Sequence, residues 1–218
     1  VSTYNQVEYG IYTNKDYGNV RGLELKIDYG INNLFIQTNY TYQFTRGNAD
    51  NPAQTFNRQG ASIDEVIRFI PMSWDQRHTF NLSAGYNTQK FGISATGYYN
   101  SGTPYTFSPQ GESNLALLNL YPNNDYKPSN YHADLSAYIN LPKIFGFSPK
   151  IDLLVYNLTD RYNEYGVSSE TGRAYSAVVN ETELLSHRSN FNNYEDRYKD
   201  PSSFSAPRQI KVGLTVQF

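Results

Sequence analysis

The sequence predicts an all-β protein, an antiparallel transmembrane β-barrel with about eight strands present in its 218 residues. Apolar residues recur at every second position over long segments, and no helical period competes with that alternation. These segments exceed the roughly 5–6 residues of soluble strands and match the ~9–11 needed to cross a bilayer at a tilt. The connections between them alternate in length, so antiparallel pairing puts short turns on one rim and long loops on the other, the asymmetry of outer-membrane barrels.

The candidate strands lie at roughly 4–12, 19–30, 33–46, 77–87, 90–101, 130–142, 149–158 and 208–218, each bounded by Gly, Asn, Pro or Asp clusters. In RHTFNLSAGYN, Phe80, Leu82, Ala84 and Tyr86 form one face, and Arg77, Thr79, Asn81 and Ser83 the other. FGISATGYY repeats the pattern, with Phe91, Ile93, Ala95 and Tyr99 against Gly92, Ser94, Thr96 and Tyr98. In YHADLSAYINL, Tyr131, Ala133, Leu135, Ala137, Ile139 and Leu141 oppose His132, Asp134, Ser136, Tyr138 and Asn140. Short links fall at GINN, NTQK and PKIFGFSP, and long ones near 47–76, 102–129 and 159–207. The link near 13–18 is the one short connection on the long-loop side. Arg21, Glu24, Lys26, Asp28, Asp134 and Lys150 are candidates for the inward, polar face.

Composition agrees with a barrel. Mean hydropathy is −0.64, which would mean a soluble chain if it were helical, but barrel strands hide lipid-facing residues among polar ones. Aromatics reach 16%, with 21 Tyr and 12 Phe, the residues that favour pleated surfaces and membrane interfaces. A net charge of −2 gives no basic surface for nucleic acid. The absence of cysteine removes disulfides, thiolate metal sites and cysteine nucleophiles. VSTYNQVEYGIYTN has neither a basic start nor an apolar core, so an export signal is expected to have been removed.

The chain closes on QIKVGLTVQF, where Ile210, Val212, Leu214, Val216 and Phe218 alternate with Lys211, Gly213, Thr215 and Gln217. This ending, through Lys211, Gly213, Val216 and Phe218, resembles the C-terminal signal read by the barrel-assembly machinery of Gram-negative outer membranes. NVRGLELKIDYG (19–30), PMSWDQRHTFNLSAGYN (71–87), LLVYNLTDRYN (153–163) and SAPRQIKVGLTVQF (205–218) follow one another as in TonB-dependent outer-membrane receptors. They resemble the final strands of that barrel in Bacteroidetes-type members, with Thr159 departing from the commoner NLFD wording.

The resemblance implies a C-terminal segment of a barrel of about 22 strands, whose whole binds a scarce nutrient and imports it with energy transmitted by TonB. Plug and TonB-binding segment have no match in the chain, so TonB is a partner through a part not included here. The bilayer and the barrel-assembly machinery are the other implied partners, and a surface lipoprotein over the loops is a further candidate. The alternative is a self-contained eight-stranded barrel with a structural, adhesion or interaction role.

No cofactor, metal or enzymatic activity is expected. His78, His132 and His187 lack zinc-type spacing, and no nucleophile elbow or Walker loop appears. His78 falls on the outward parity of its strand and His132 on the inward. Asp64 with His187 would be the pair for a barrel hydrolase, and it has no motif behind it. GNADNP (47–52) and NND (123–125) lack EF-hand spacing and read as turns. Binding is expected in the longest loop, where Tyr162, Tyr165, Tyr175, Tyr194 and Tyr198 stand among Asn, Glu and Arg. Trp74 and the strand-end tyrosines are expected at the headgroup level.

Overall fold

The computed structural model describes residues 2–4, 7–9, 16–51, 53–55, 68–108, 121–143, 145–174 and 201–217. At the N-terminus, β1 (Ser2–Tyr4) and β2 (Val7–Tyr9) pair, among the described residues, with each other alone. As far as it is described, this corrects the strand expected over 4–12: Tyr4 and residues 7–9 belong to two three-residue strands facing one another, and neither is a member of the main sheet.

The main sheet is antiparallel and follows the predicted order. β3 (Gly18–Ile31) pairs with β4 (Leu34–Gly47), which also takes the two-residue β5 (Ile70–Pro71) at its loop end. Next come β6 (His78–Asn87) and β7 (Phe91–Asn100). A small separate pair, β8 (Pro104–Tyr105) and β9 (Asp125–Tyr126), stands in the loop after β7. β10 (Asn130–Asn140), β11 (Ser148–Tyr156) and β12 (Gln209–Gln217) complete the order β12-β11-β10-β7-β6-β4-β3. Among the described residues β3 and β12 are edges that do not pair with each other, so these strands form an open sheet and not a closed eight-stranded barrel. The eighth member of the sheet is β5, not the N-terminal segment.

Register makes the two faces continuous. Tyr29, Ile36, Ala84, Ala95, Leu135, Val155 and Ile210 stand opposite one another in one row across seven strands. The next row is Ile31, Leu34, Tyr86, Ile93, Ala137, Leu153 and Val212. Because side chains alternate across a strand, the other face receives Lys26, Asn39, Asn81, Tyr98 and His132 in one row and Asp28, Gln37, Ser83, Thr96 and Asp134 in the next. His78, opposite Tyr42, lies on the apolar face, and His132 on the polar one. Arg21 is corrected: it shares the parity of Leu23 and Leu25 and so stands on the apolar face, one step out of phase with Glu24, Lys26 and Asp28.

Among the described residues, most of the apolar face is left uncovered. Leu25 is 53% exposed, Ile93 46% and Val212 73%; Val155 is the buried member of these rows, and the other buried apolar residues among those described, Ile70, Met72 and Ala174, lie outside the seven long strands. On the polar face, rings roof the glycines of the turn end: Phe35 lies over Gly85 and Tyr138 over Gly92, leaving no room for a Cβ at either. Tyr138 Oη also donates to Thr88 O at 2.8 Å, fixing the β6–β7 turn. The turns at 32–33, 88–90 and 141–147 share this end, and the long connections at 48–77, 101–129 and 157–208 share the other.

Candidate functional site

The polar face forms an open groove of about 560 Å³ lined by Lys26, Asp28, Asn39, Asn81, Tyr98, His132 and Asp134, among others. On this face, side chains of the same strand pair with one another. Lys26 Nζ lies 3.1 Å from Asp28 Oδ2, His132 Nε2 2.6 Å from Asp134 Oδ1, and Lys150 Nζ 2.7 Å from Asp152 Oδ1. Each pair is two residues apart, the spacing that puts both groups on one face of a strand. Between them, Asn81 Nδ2 donates to Asn39 Oδ1 at 3.3 Å, and the His132 ring stacks on Tyr98 at 5.8 Å between centroids. Such a surface offers hydrogen bonds of both signs to water or a polar solute. It does not build a hydrolytic triad, although His132, Asp134 and Ser136 share the face. Ser136 Oγ is 2.9 Å from Ser94 Oγ, and Ser136 stands four residue steps along the strand from His132, about 13 Å of backbone.

At the loop end, buried polar groups tie the long connections to the strands. Asp75 has no exposed surface. Its Oδ1 accepts the Thr45 N–H at 2.6 Å, and its Oδ2 accepts from Arg77 Nε at 2.8 Å and Tyr126 Oη at 2.9 Å. Arg77 also donates to Tyr126 Oη at 2.8 Å, and its guanidinium lies 4.3 Å from the Phe44 ring centre. Burial and the facing carboxylate push the Tyr126 phenol above its ordinary value. Asp50 accepts from Ser73 N–H and the Asn123 amide, and that amide also donates to Pro71 O. GNADNP and NND are therefore joined to each other by hydrogen bonds, Asn123 taking the left-handed conformation at φ 59°.

The longest loop is anchored through Asn157, Asn163 and Glu164, all buried. Asn157, at φ 53°, ends β11. Its N–H donates to Asp134 Oδ1 at 2.9 Å, and its side chain donates to Arg161 O and Ala206 O, both at 2.9 Å. One Asp134 oxygen thus meets both His132 in the groove and the first residue of the loop. Asn163 brackets the backbone of Tyr131, and Arg161 lies 4.2 Å over the Tyr131 ring. Glu164 receives the fork of Arg173 and, at 2.6 Å, the Ala174 N–H. Burial alone would raise this carboxyl, but those donors and the nearby Arg161 hold it below the ordinary carboxylate value.

Of the tyrosines expected to bind, Tyr162 and Tyr165 are more than half exposed beside this anchor. The Tyr165 N–H donates to Ser203 O at 2.9 Å, and its side chain reaches Tyr98 at the mouth of the groove. Tyr175, Tyr194 and Tyr198 lie outside the described residues, as do Asp64, His187 and Phe218. In the terminal strand, Lys211 Nζ stands 5.0 Å over the Tyr156 ring, Gly213 faces Asp152, and Val216 faces Pro149. The sequence reading missed Asp75, Asn157, Asn163 and Glu164 as anchors. Asn157 carries a signal in NLTD, whose first and last residues both adopt positive φ. No protein-family model, curated protein or solved structure matches the chain.

Proposed function

We propose that this chain is a portion of the wall of an outer-membrane β-barrel, with its apolar face in lipid, its polar face toward a watery lumen and its long loops outside the cell. The observation that carries the reading is the apolar face, in register over seven strands and largely uncovered by any other part of the described chain. An exposed apolar patch on a soluble monomer rarely exceeds a few hundred Å², whereas a barrel in lipid needs such a face. Charged pairs and amides on the opposite face suit water.

Within that reading, the four ordered motifs and the terminal strand favour a TonB-dependent nutrient receptor. Its lumen lining would be the groove, and its ligand contacts the loop end around Tyr162 and Tyr165. This wall gives shape and recognition, while energised import belongs to the coupling to TonB. Catalysis is not part of the proposal.

The cysteine-free chain permits a direct test. Ile93→Cys and Ser83→Cys, on opposite faces, are each labelled with a bimane probe in reconstituted vesicles. The Ile93 probe should be quenched by brominated lipid and the Ser83 probe by aqueous iodide; the reverse, or iodide quenching of both, refutes the wall. For the receptor reading, capture of the protein from native outer membranes by immobilised TonB periplasmic domain is expected, and repeated failure of capture refutes it.

A further inference from the structure

The apolar face contains two charged residues in its seven long strands, Arg21 and Arg46, and both are cations. They stand at the loop end of neighbouring strands. Arg21 faces Phe44 and Arg46 faces Asn19 in the β3–β4 ladder, which makes them diagonal neighbours with backbones roughly 7–8 Å apart. Both side chains are exposed. Arg21 Nε donates to Asn19 Oδ1 at 3.0 Å, and among the described residues neither guanidinium has an ion pair. Arg46 also lines a pocket of about 240 Å³ with Tyr17, Asn19 and Trp74. Both of those rings are about half exposed. The carboxylates that reach this pocket are already engaged, Asp16 by Asn48 and Thr55, Asp50 by Ser73 and Asn123.

Two neighbouring cations on an otherwise uncharged apolar face repel each other, and the repulsion strengthens as water is withdrawn. An anion between them reverses the sign of that interaction and gains charge-assisted hydrogen bonds, for which the guanidinium fork fits phosphate oxygens. Flanking Trp and Tyr rings are at home at the headgroup level. We propose that Arg21 and Arg46 together hold the phosphate of an anionic lipid at the loop-side boundary of the bilayer. This rests on the membrane reading above. The charge pattern of the face selects a lipid over a free anion, because a lipid phosphate brings its acyl chains to Leu23, Leu25 and Tyr42 directly below.

The purified protein is inserted into nanodiscs of phosphatidylcholine containing a minor fraction of phosphatidylglycerol, and native mass spectrometry counts the lipids it retains. Wild type, and Lys90→Gln at the opposite, turn end, should retain phosphatidylglycerol several-fold above its bulk fraction, and Arg21→Gln/Arg46→Gln should fall to the bulk ratio. Equal enrichment in the double variant, or none in wild type, overturns the proposal. Release of the lipid by millimolar inorganic phosphate also overturns it, in favour of a free-anion site. A wild type that fails to enter nanodiscs overturns instead the membrane reading itself.

Discussion

The side-chain amide of Asn163 pairs with the backbone of Tyr131 as a neighbouring strand would. Its Nδ2 donates to Tyr131 O at 2.8 Å, and its Oδ1 accepts the Tyr131 N–H at 3.1 Å. With Asn163 fully buried, this one side chain satisfies both polar groups where β10 leaves the ladder. Asn163→Leu leaves a donor and an acceptor without partners, each costing about 1–3 kcal/mol. Asn163→Asp keeps the acceptor and loses the donor, so it should cost less. Denaturant unfolding in detergent checks the ranking, and an Asp variant as damaged as the Leu variant would show that another contact dominates.

The Asp75 carboxylate holds Thr45, Arg77 and Tyr126 at once, linking β4, the start of β6 and the loop that carries β9. Asp75→Ala should cost about 3 kcal/mol, the low end for breaking a buried ion pair, since Arg77 is left without its counter-charge. Adding Arg77→Met removes the orphaned cation and should recover part of the loss. A double variant whose destabilisation equals the sum of the two single ones would show that the pair is not coupled.

The strands were legible because alternation, turn residues and length agreed from β3 to β12. The face on which Tyr29 and Ile31 stand follows from that alternation, while their rows across the sheet also need the register set by the turns. Legibility failed where order depends on distant partners. β5, β8 and β9 are two residues each, too short for a period, and exist because β4 or another short segment lies alongside. Asp75 finds its partner Tyr126 51 positions away, and Asn163 finds Ser205 42 away, so no local pattern marks them. Arg21 was misassigned by counting charges instead of parity: one residue of phase moves a side chain to the other face. The lining of the groove, by contrast, was foreshadowed in Lys26, Asp28 and Asp134, whose strand parity puts them on the polar face.

Glu164 gives the loop anchor a pH dependence of known sign. Its folded-state pKa is depressed by the Arg173 fork and the Ala174 N–H against the opposing effect of burial. The stabilisation is therefore complete above the ordinary carboxylate pKa and is lost as pH falls through the lower, folded value. The hydrogen-exchange protection factor of the Ala174 amide, which donates to Glu164, should drop on acidification through that window. Glu164→Gln should show lower protection that does not change with pH. Protection in wild type that holds steady or rises on acidification would contradict the assignment.

Leu82 and Asn81 are adjacent on β6 and face opposite environments, which makes them a paired probe of what lies on each side. Leu82 is already 37% exposed, so if water covered the apolar face, Leu82→Arg would bury no charge and change stability by less than about 0.5 kcal/mol. Against lipid the same arginine must be drawn into hydrocarbon, at about 2–4 kcal/mol near the midplane. Asn81→Arg enters the groove beside Asn39, where water and the Asp28 and Asp134 carboxylates can solvate the guanidinium, so a small change is expected there. Folding free energies of both variants in phospholipid vesicles decide the matter. A large cost at Leu82 with a small one at Asn81 assigns the faces as proposed, and similar small costs at both would remove lipid from the apolar side.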